Sequence, residues 1–475
     1  MKKILASVLT LAIAAGSAVI GVSAQASPMG DVSLDGQVSI KDATTIQKAC
    51  ASLIELSGNQ RKRADIDQNN KVNISDATAL QRSLVGQFEM PDLPPDPLSD
   101  DNVENSGNLA MADFSVRLLQ SRRESDSNVL VSPLSVMSAL GMTQNGARGR
   151  TLSQMEQTLG ISRDTLNRYC KSYGNNVNNT DRNDDKLDIA NSIWYNGNYQ
   201  NMSLNQDFRN AVTDYYKASV NQLPFDNAAT QKINDWVNDN TDSMIPKIID
   251  EVDPFALMYL VNALAFDGKW SEPFDPEYQV HSGTFTNADK TTSYVNYMTC
   301  EEFSYLSDGK ATGFIKQFTD HNYAFAALVP NEGTSLDTYV KSLTGSKVRS
   351  VLENKKSEKT DIYLPKFKIE YGVELSETLK SMGMVNAFDP ATADFSNMIN
   401  SSSVRPYINR VIHKTAIDVN ETGTKAAAAT VVEMKDGATP EEPHKVKLDR
   451  PFLYMLINTK TNTPFFIGTV DTFNK

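Results

Sequence analysis

This chain has few of the residues on which most enzymes and redox proteins depend. Its 475 residues include three cysteines, Cys50, Cys170 and Cys300. None stands in a Cys-x-x-Cys pair and the number is odd, which excludes a fold organised by disulfides. Three buried or half-buried thiols, or one incidental bridge, are expected instead. The four histidines are His281, His321, His413 and His444. None falls in a His-Glu-x-x-His pattern, and there is no Gly-x-Ser-x-Gly elbow or phosphate-binding loop. No catalytic residue is assigned, and the chain is not expected to be an enzyme. Positive charge is in deficit: 46 Lys and Arg stand against 58 Asp and Glu, a net charge of −12. That balance excludes a nucleic-acid partner. Past the N-terminus, no segment nears the roughly 18 apolar residues of a membrane span.

What the chain does have is globular. Hydrophobic residues make up 40% and aromatics 8%, enough to build cores. The length exceeds one typical domain and suggests two or three units. Met1-Lys2-Lys3 precedes an apolar stretch from Ile4 to Val22 and then Ala24-Gln25-Ala26. Residues 1–26 read as a secretory signal cut after Ala26, with an uncleaved anchor as the alternative. The mature protein is expected outside the cell, free of the membrane.

Two twelve-residue stretches repeat, from Asp31 to Asp42 and from Asp65 to Asp76, offset by 65 − 31 = 34 residues. Asp42-Ala-Thr-Thr-Ile-Gln-Lys48 and Asp76-Ala-Thr-Ala-Leu-Gln-Arg82 continue the duplication. Each stretch spaces oxygen donors as a calcium loop does, because calcium takes six to eight hard oxygens. The first loop offers Asp31, Ser33, Asp35, the Gln37 carbonyl, Ser39 and Asp42. The second offers Asp65, Asp67, Asn69, the Lys71 carbonyl, Asn73 and Asp76. Gly36 permits the sharp turn, and Asn70 holds that place in the second loop. Apolar residues then follow at helical spacing: Ile40, Ala43, Ile46, Cys50 and Leu53, and Ile74, Ala77, Leu80 and Leu84. The final loop position is Asp rather than the Glu of an EF-hand, and no helix precedes the first loop.

Residues 89–107 carry prolines and acids and read as an extended linker. Farther on, Met111–Gln120 and Leu134–Thr143 are apolar at helical spacing. Ile189–Trp194, Met258–Phe266 and Asp361–Phe367 read as strands. The near-continuous apolar run from Leu257 to Ala265 suits a strand buried on both faces of a sheet covered by helices, an α+β arrangement.

Residues 421–430 read Glu-Thr-Gly-Thr-Lys-Ala-Ala-Ala-Ala-Thr. As a strand, Thr424, Ala426, Ala428 and Thr430 share one face, and Lys425, Ala427, Ala429 and Val431 the other. Small side chains can enter a packed sheet but hold no position alone, and Gly423 frees the backbone. A buried strand and a short Ala-rich helical turn in a loop are both open on these residues alone.

The neighbouring motifs decide between them. Asn128-Val-Leu-Val-Ser-Pro-Leu-Ser135, Leu260–Trp270, Val446–Leu456 and Phe465-Phe-Ile-Gly-Thr-Val470 occur in one order from about residue 108 to 475. Together they resemble the serpin family of suicide protease inhibitors. The resemblance implies an α+β serpin fold: a large central sheet, smaller sheets, about nine helices and an exposed reactive loop. It also implies that a protease cuts the loop and that the freed strand enters the sheet before the acyl-enzyme hydrolyses. Glu421, Gly423, Thr424, Ala426, Ala427, Ala428, Ala429 and Thr430 match the hinge. Ser132, Ser135, Asn262 and His413 match the polar shutter, where His413 is expected to bond across the parting strands. Trp270 matches the breach where the hinge enters. Family spacing puts the scissile bond between Gly437 and Ala438, with Met434 and Lys435 as alternatives, and favours a subtilisin- or elastase-like serine protease. A non-inhibitory serpin-fold binding module is the other reading.

Residues 27–88 resemble a dockerin, a small helical module with two calcium loops that plugs into cohesin domains of a cellulosome scaffold. By position, Lys41, Gln47, Lys48, Ser75, Gln81 and Arg82 would face cohesin. The resemblance implies two bound calcium ions and a place on an extracellular cellulosome.

Overall fold

The computed structural model describes residues 29–33, 38–51, 53–54, 56, 58–67, 69, 71–88, 100–124, 126–178, 185–199, 202–401, 404–424 and 442–473. The signal segment 1–26, Asp35, Gln37, and hinge and reactive-bond residues Ala426–Thr430, Met434, Lys435, Gly437 and Ala438 lie outside them. The chain divides into two units, Met1–Ser99 and Asp100–Lys475.

The first unit has helices Ile40–Cys50, Gly58–Ala64 and Ile74–Leu84. The duplication is visible in how the first and third begin. Ser39 caps one and Asn73 the other, each in a reciprocal box with the acid three residues on, Asp42 or Asp76. The core is duplicated too: Val32 and Ile66, Ala43 and Ala77, Ile46 and Leu80 are all fully buried. The remaining members of the helical pattern are not. Ile40 and Ile74 are 59% and 57% exposed, Leu53 and Leu84 are exposed, and Cys50 is an exposed free thiol. Such short helices bury only one narrow stripe against each other.

The second unit opens with a helix from Asp100 to Arg122. It takes in residues 100–107, which the sequence reading assigns to the linker. Val103 and Gly107 are buried there. A Cβ on Gly107 would lie 2.0 Å from the Tyr169 ring. The linker reading fails at this end because the polar run Asp100–Asn108 hides its few packing positions. Nine α-helices belong to this unit among the described residues.

Three sheets position the site. An antiparallel six-stranded sheet runs in the order Val129–Val131, Thr463–Val470, Phe452–Asn458, Tyr323–Pro330, Ala311–Gln317, Tyr305–Ser307. Two of its inner strands, Thr463–Val470 and Tyr323–Pro330, are buried at every residue. A four-stranded sheet is ordered His444–Lys447, Thr360–Pro365, Thr292–Glu302, Val280–Thr286. The third is split. Ser219–Leu223, Lys186–Asn196 and Met258–Asp267 form one part, and Phe367–Glu374 with Ile412–Val419 the other. Among the described residues no ladder joins Met258–Asp267 to Ile412–Val419.

Candidate functional site

The split defines the site. Residues 258–262 and 411–414, the beginnings of the two facing strands, line a cavity of about 260 Å³. Ser135, Ala139 and Thr143 of the helix Pro133–Gln144 also line it. At the other end of the same strands the chain closes up. Gly423 forms an antiparallel bridge with Lys269. The Thr424 N–H donates to the Gly268 carbonyl at 2.8 Å, and the Gly268 N–H donates to Thr424 Oγ1 at 2.9 Å. Thr424 is 5% exposed. It thus pairs with the chain just past Met258–Asp267, at the end of that strand away from the cavity.

The turn that brings it there is tightly specified. The Asn420 N–H donates to the Gly423 carbonyl at 3.1 Å, and the Thr422 N–H to Asn420 Oδ1 at 3.0 Å. The Phe274 N–H donates to the Glu421 carbonyl at 2.8 Å. Lys366 Nζ lies 2.6 Å from Glu421 Oε1. Only glycine fits at 423, because a Cβ there would lie 2.0 Å from the Gly268 oxygen.

Trp270 backs this contact. Its N–H donates to the Thr422 carbonyl and its indole Nε1 to the Asn420 carbonyl, both at 2.9 Å. The ring is 1% exposed and stacks on Phe318 at 4.7 Å. Beside it lies Lys316, 1% exposed, with Nζ 2.8 Å from Glu302 Oε1 and 4.7 Å from the Phe274 ring centre. Sequence reasoning misses Lys316; the available signal is a single charge inside the apolar strand Ala311–Gln317. Cys300, near Lys316 Nζ at 3.6 Å, has its thiol pushed up to about 12 by burial. Asp185 is missed as well. It accepts the Asp320 N–H at 2.8 Å and the Lys269 N–H at 3.2 Å, bracing the chain just past Met258–Asp267.

Three of the four shutter candidates are linked through Ser132, and Asn262 lines the same cavity as Ser135 and His413. His413 Nε2 accepts the Ser132 N–H at 3.0 Å, and Ser132 Oγ donates to the Phe465 carbonyl at 2.9 Å. Ser132 Oγ also caps the helix through the Ser135 N–H at 3.2 Å. Asn262 Nδ2 donates to Asn191 Oδ1 at 2.8 Å, and Asn262 Oδ1 is a buried acceptor without a protein partner. No His413–Asn262 bond exists among the described residues. The two side chains sit on separate strands that line the same cavity, and His413 is held by the Ser132 N–H.

Burial alone holds the His413 imidazole neutral, down to about 4 from an ordinary 6.5. The unfolded chain therefore binds the extra proton first. The stability that neutral His413 preserves is intact above pH 6.5 and lost as pH falls from 6.5 to about 4. The loss is on the order of 3 kcal/mol, from about 1.4 kcal/mol per unit. Thermal midpoints of the protein and of His413→Asn, measured from pH 7.5 to 4.5, test this. The wild type should lose more than the variant over that window; parallel curves would refute it.

In the first unit, carboxylate oxygens of Asp65, Asp67 and Asp76 lie within 4.8 Å of one another. Asp76 is fully buried. Its Oδ1 accepts the Ile66 and Asp67 N–H groups at 2.8 and 3.3 Å, and Oδ2 the Asn73 N–H at 2.8 Å. Asp42 repeats this with the Ser33 and Ser39 N–H groups at 2.7 and 2.9 Å. Three converging hard oxygens fit a calcium ion. Lys41 and Ser75, Gln47 and Gln81, and Lys48 and Arg82 are pairwise alike in exposure. Among the described residues no helix is long and apolar enough to cross a membrane.

The comparisons fall along the same division. The family model for serpin (serine protease inhibitor) matches residues 109–472, and that for the dockerin type I domain matches residues 29–85. Serpin B8 of Homo sapiens is 32% identical over 378 residues, covering 78% of this chain and 98% of that protein. The native-state structure of tengpin, a thermophilic serpin, matches with a TM-score of 0.72 and 39% identity, over 80% of this chain and 96% of that one. The latent-state structure of tengpin matches at a TM-score of 0.68 and 38% identity, over 79% and 99%.

Proposed function

This chain belongs to the serpin family, and we propose that it is a secreted suicide inhibitor of serine proteases, held on a cellulosome through its dockerin domain. The observation that carries the reading is Thr424, already paired with Gly268 just past the end of Met258–Asp267, a strand that no ladder joins to Ile412–Val419 among the described residues. A protease serine attacks the carbonyl of the scissile residue, Gly437 in this reading, and becomes esterified to it. The freed segment zips in from Thr424, with Thr424, Ala426, Ala428 and Thr430 facing inward and Lys425 outward. Each added residue exchanges unpaired backbone for ladder bonds, and the inserting strand offers N–H groups near the orphan Asn262 oxygen. Ser132, Ser135, Asn262 and His413 let the strands part; Trp270 and Glu421 hold the entry.

The dockerin type I domain is a calcium-binding module, and here Asp31, Ser33, Asp35, Gln37, Ser39 and Asp42 would hold one ion. Asp65, Asp67, Asn69, Lys71, Asn73 and Asp76 would hold the other. The ions fix the loops, and the exposed residues Lys41, Lys48, Ser75 and Arg82, with Gln47 and Gln81, meet a cohesin. Secretion follows from the signal at 1–26.

The test mixes the protein with subtilisin, elastase and trypsin separately. A covalent complex that survives SDS, with the cut mapped to residues 434–439 by mass spectrometry, is expected with subtilisin or elastase. Clean cleavage by all three with no complex would favour the non-inhibitory binding module.

A further inference from the structure

We propose that the cavity lined by residues 258–262 and 411–414 is a binding site for a small phenol, a flat apolar molecule whose single hydroxyl donates to Asn262 Oδ1. The site goes beyond the inhibitory reading above and does not depend on it.

Asn262 supplies the anchor, and a chain of bonds fixes its orientation. The Tyr216 carbonyl can only accept, and Asn191 Nδ2 donates to it at 2.8 Å. Asn191 therefore presents Oδ1 to Asn262, where it accepts from Nδ2 at 2.8 Å. The two asparagines face each other in the ladder between Lys186–Asn196 and Met258–Asp267, so the mount is rigid. A primary amide has one oxygen and one nitrogen, and the nitrogen of Asn262 is spent. What is left is Oδ1, a buried acceptor that meets no donor. Asn262 is 9% exposed and lines the cavity. Other polar groups there are committed elsewhere. Thr143 Oγ1 donates to the Ala139 carbonyl at 2.9 Å, and Lys414 Nζ to the Lys247 carbonyl at 3.0 Å. A buried acceptor left without a donor is costly, so a molecule that brings one gains from it.

The walls and the size narrow that molecule. Ile248, Ile249, Phe395 and Met398 are buried around the cavity, and Leu257 and Leu260 complete an apolar lining. Water could donate to Oδ1 but would leave those walls uncovered. An apolar cavity of about 150 Å³ stays dry and takes benzene; this one, at about 260 Å³, has room for roughly one ring more. That is too little for a folded partner. A carboxylate has only acceptors to offer and would meet Asn262 Oδ1 oxygen to oxygen. The ligand is therefore neutral, with one donor. A rigid ring loses little freedom on binding, and the thioethers of Met258 and Met398, both in the lining, suit an aromatic face. Phe255 and Tyr407, 83% and 43% exposed, also line the cavity and mark its mouth.

The test uses the full chain with 2-naphthol, two fused rings carrying one hydroxyl, and naphthalene as the comparison. Calorimetry should give one site for 2-naphthol with a dissociation constant on the order of 0.1 mM. Naphthalene should bind about tenfold more weakly, the worth of one net hydrogen bond. With methionine methyl groups labelled, 2-naphthol should shift the resonances of Met258 and Met398 and leave Met155, buried outside the cavity, unmoved. In Asn262→Leu the preference for the hydroxyl should vanish. That variant also strips Asn191 of its partner, so Ala139→Leu serves beside it. It fills the cavity from the helix Pro133–Gln144, keeps both asparagines, and should weaken 2-naphthol about tenfold or more. Equal affinity for the two probes in the wild type would overturn the anchor. Unmoved Met258 and Met398 resonances, or no binding up to about 1 mM, tenfold above the expected constant, would overturn the site. Protease trapping is assayed separately: its absence would overturn the inhibitory reading and leave phenol binding as it stands.

Discussion

Thr424→Arg should turn the inhibitor into a substrate. The protease should still cut the loop, because residue 424 lies well upstream of residues 434–439. The covalent complex should disappear. Thr424 is 5% exposed and exchanges hydrogen bonds with the Gly268 backbone through both its N–H and its hydroxyl. The one carboxylate of the turn, Glu421, is already paired with Lys366, and burying a charge without its own partner costs several kcal/mol. At tenfold per roughly 1.4 kcal/mol, insertion slows by about 10²–10³, and hydrolysis of the ester wins the race. The measurement is the number of inhibitor molecules consumed per protease silenced, together with the SDS-stable band. Lys425→Arg serves as the control, since period-two alternation puts residue 425 on the outward face of an inserted strand. Equal loss of the complex in both variants would show that residue 424 has no special place at the entry, and undiminished trapping in Thr424→Arg would remove the entry from the mechanism.

Chelation of calcium should abolish cohesin binding and leave trapping intact. Asp65, Asp67 and Asp76 place three carboxylates within 4.8 Å of one another, and like charges about 4 Å apart repel by roughly 1–4 kcal/mol per pair between water and a protein surface. Without a cation the loop has reason to open. It then loses the Asp76 bonds to the Ile66, Asp67 and Asn73 N–H groups that start the helix Ile74–Leu84. The unit has little else, since its core is built on a few small and medium side chains such as Ala43, Ile46, Ala77 and Leu80. Excess chelator, or Asp76→Ala, should weaken cohesin binding more than about 100-fold, in line with loss of a structural metal. Helical circular dichroism should fall by an amount matching this unit. The measurements are calorimetry against a cohesin and the protease assay on the same sample. Cohesin binding that ignores chelation would exclude a calcium-dependent fold. Loss of trapping together with binding would show the two units to be energetically coupled.

The features legible in the sequence were those written in consecutive residues. The 34-residue repeat marked two oxygen-rich loops, and the structure repeats the caps at Ser39 and Asn73 and core pairs such as Val32 and Ile66. The apolar run at 257–265 announced a strand buried on both faces, and Met258–Asp267 is one over its second half. Periodicity was less informative about depth. Ile40 and Ile74 keep the helical spacing of their buried neighbours yet face solvent, because spacing gives a face without saying what covers it. The linker's end was misread for the opposite reason: a polar run can still be a helix when a buried Gly107 lets a neighbouring ring approach.

The sequence by itself determined the alternation of small residues at the hinge, the loop donors and the order of the family motifs, because each is a property of neighbours along the chain. The tertiary structure alone decided that no ladder joins Met258–Asp267 to Ile412–Val419, that Thr424 sits on Gly268, and that His413 bonds Ser132. It alone placed Lys316 against Glu302 and Asn262 against Asn191. Those pairs join residues from 14 to 281 positions apart, and no local pattern records which partner a side chain meets once the sheets have packed. Only packing settles which strands pair and which leave a gap, and here the gap is the site.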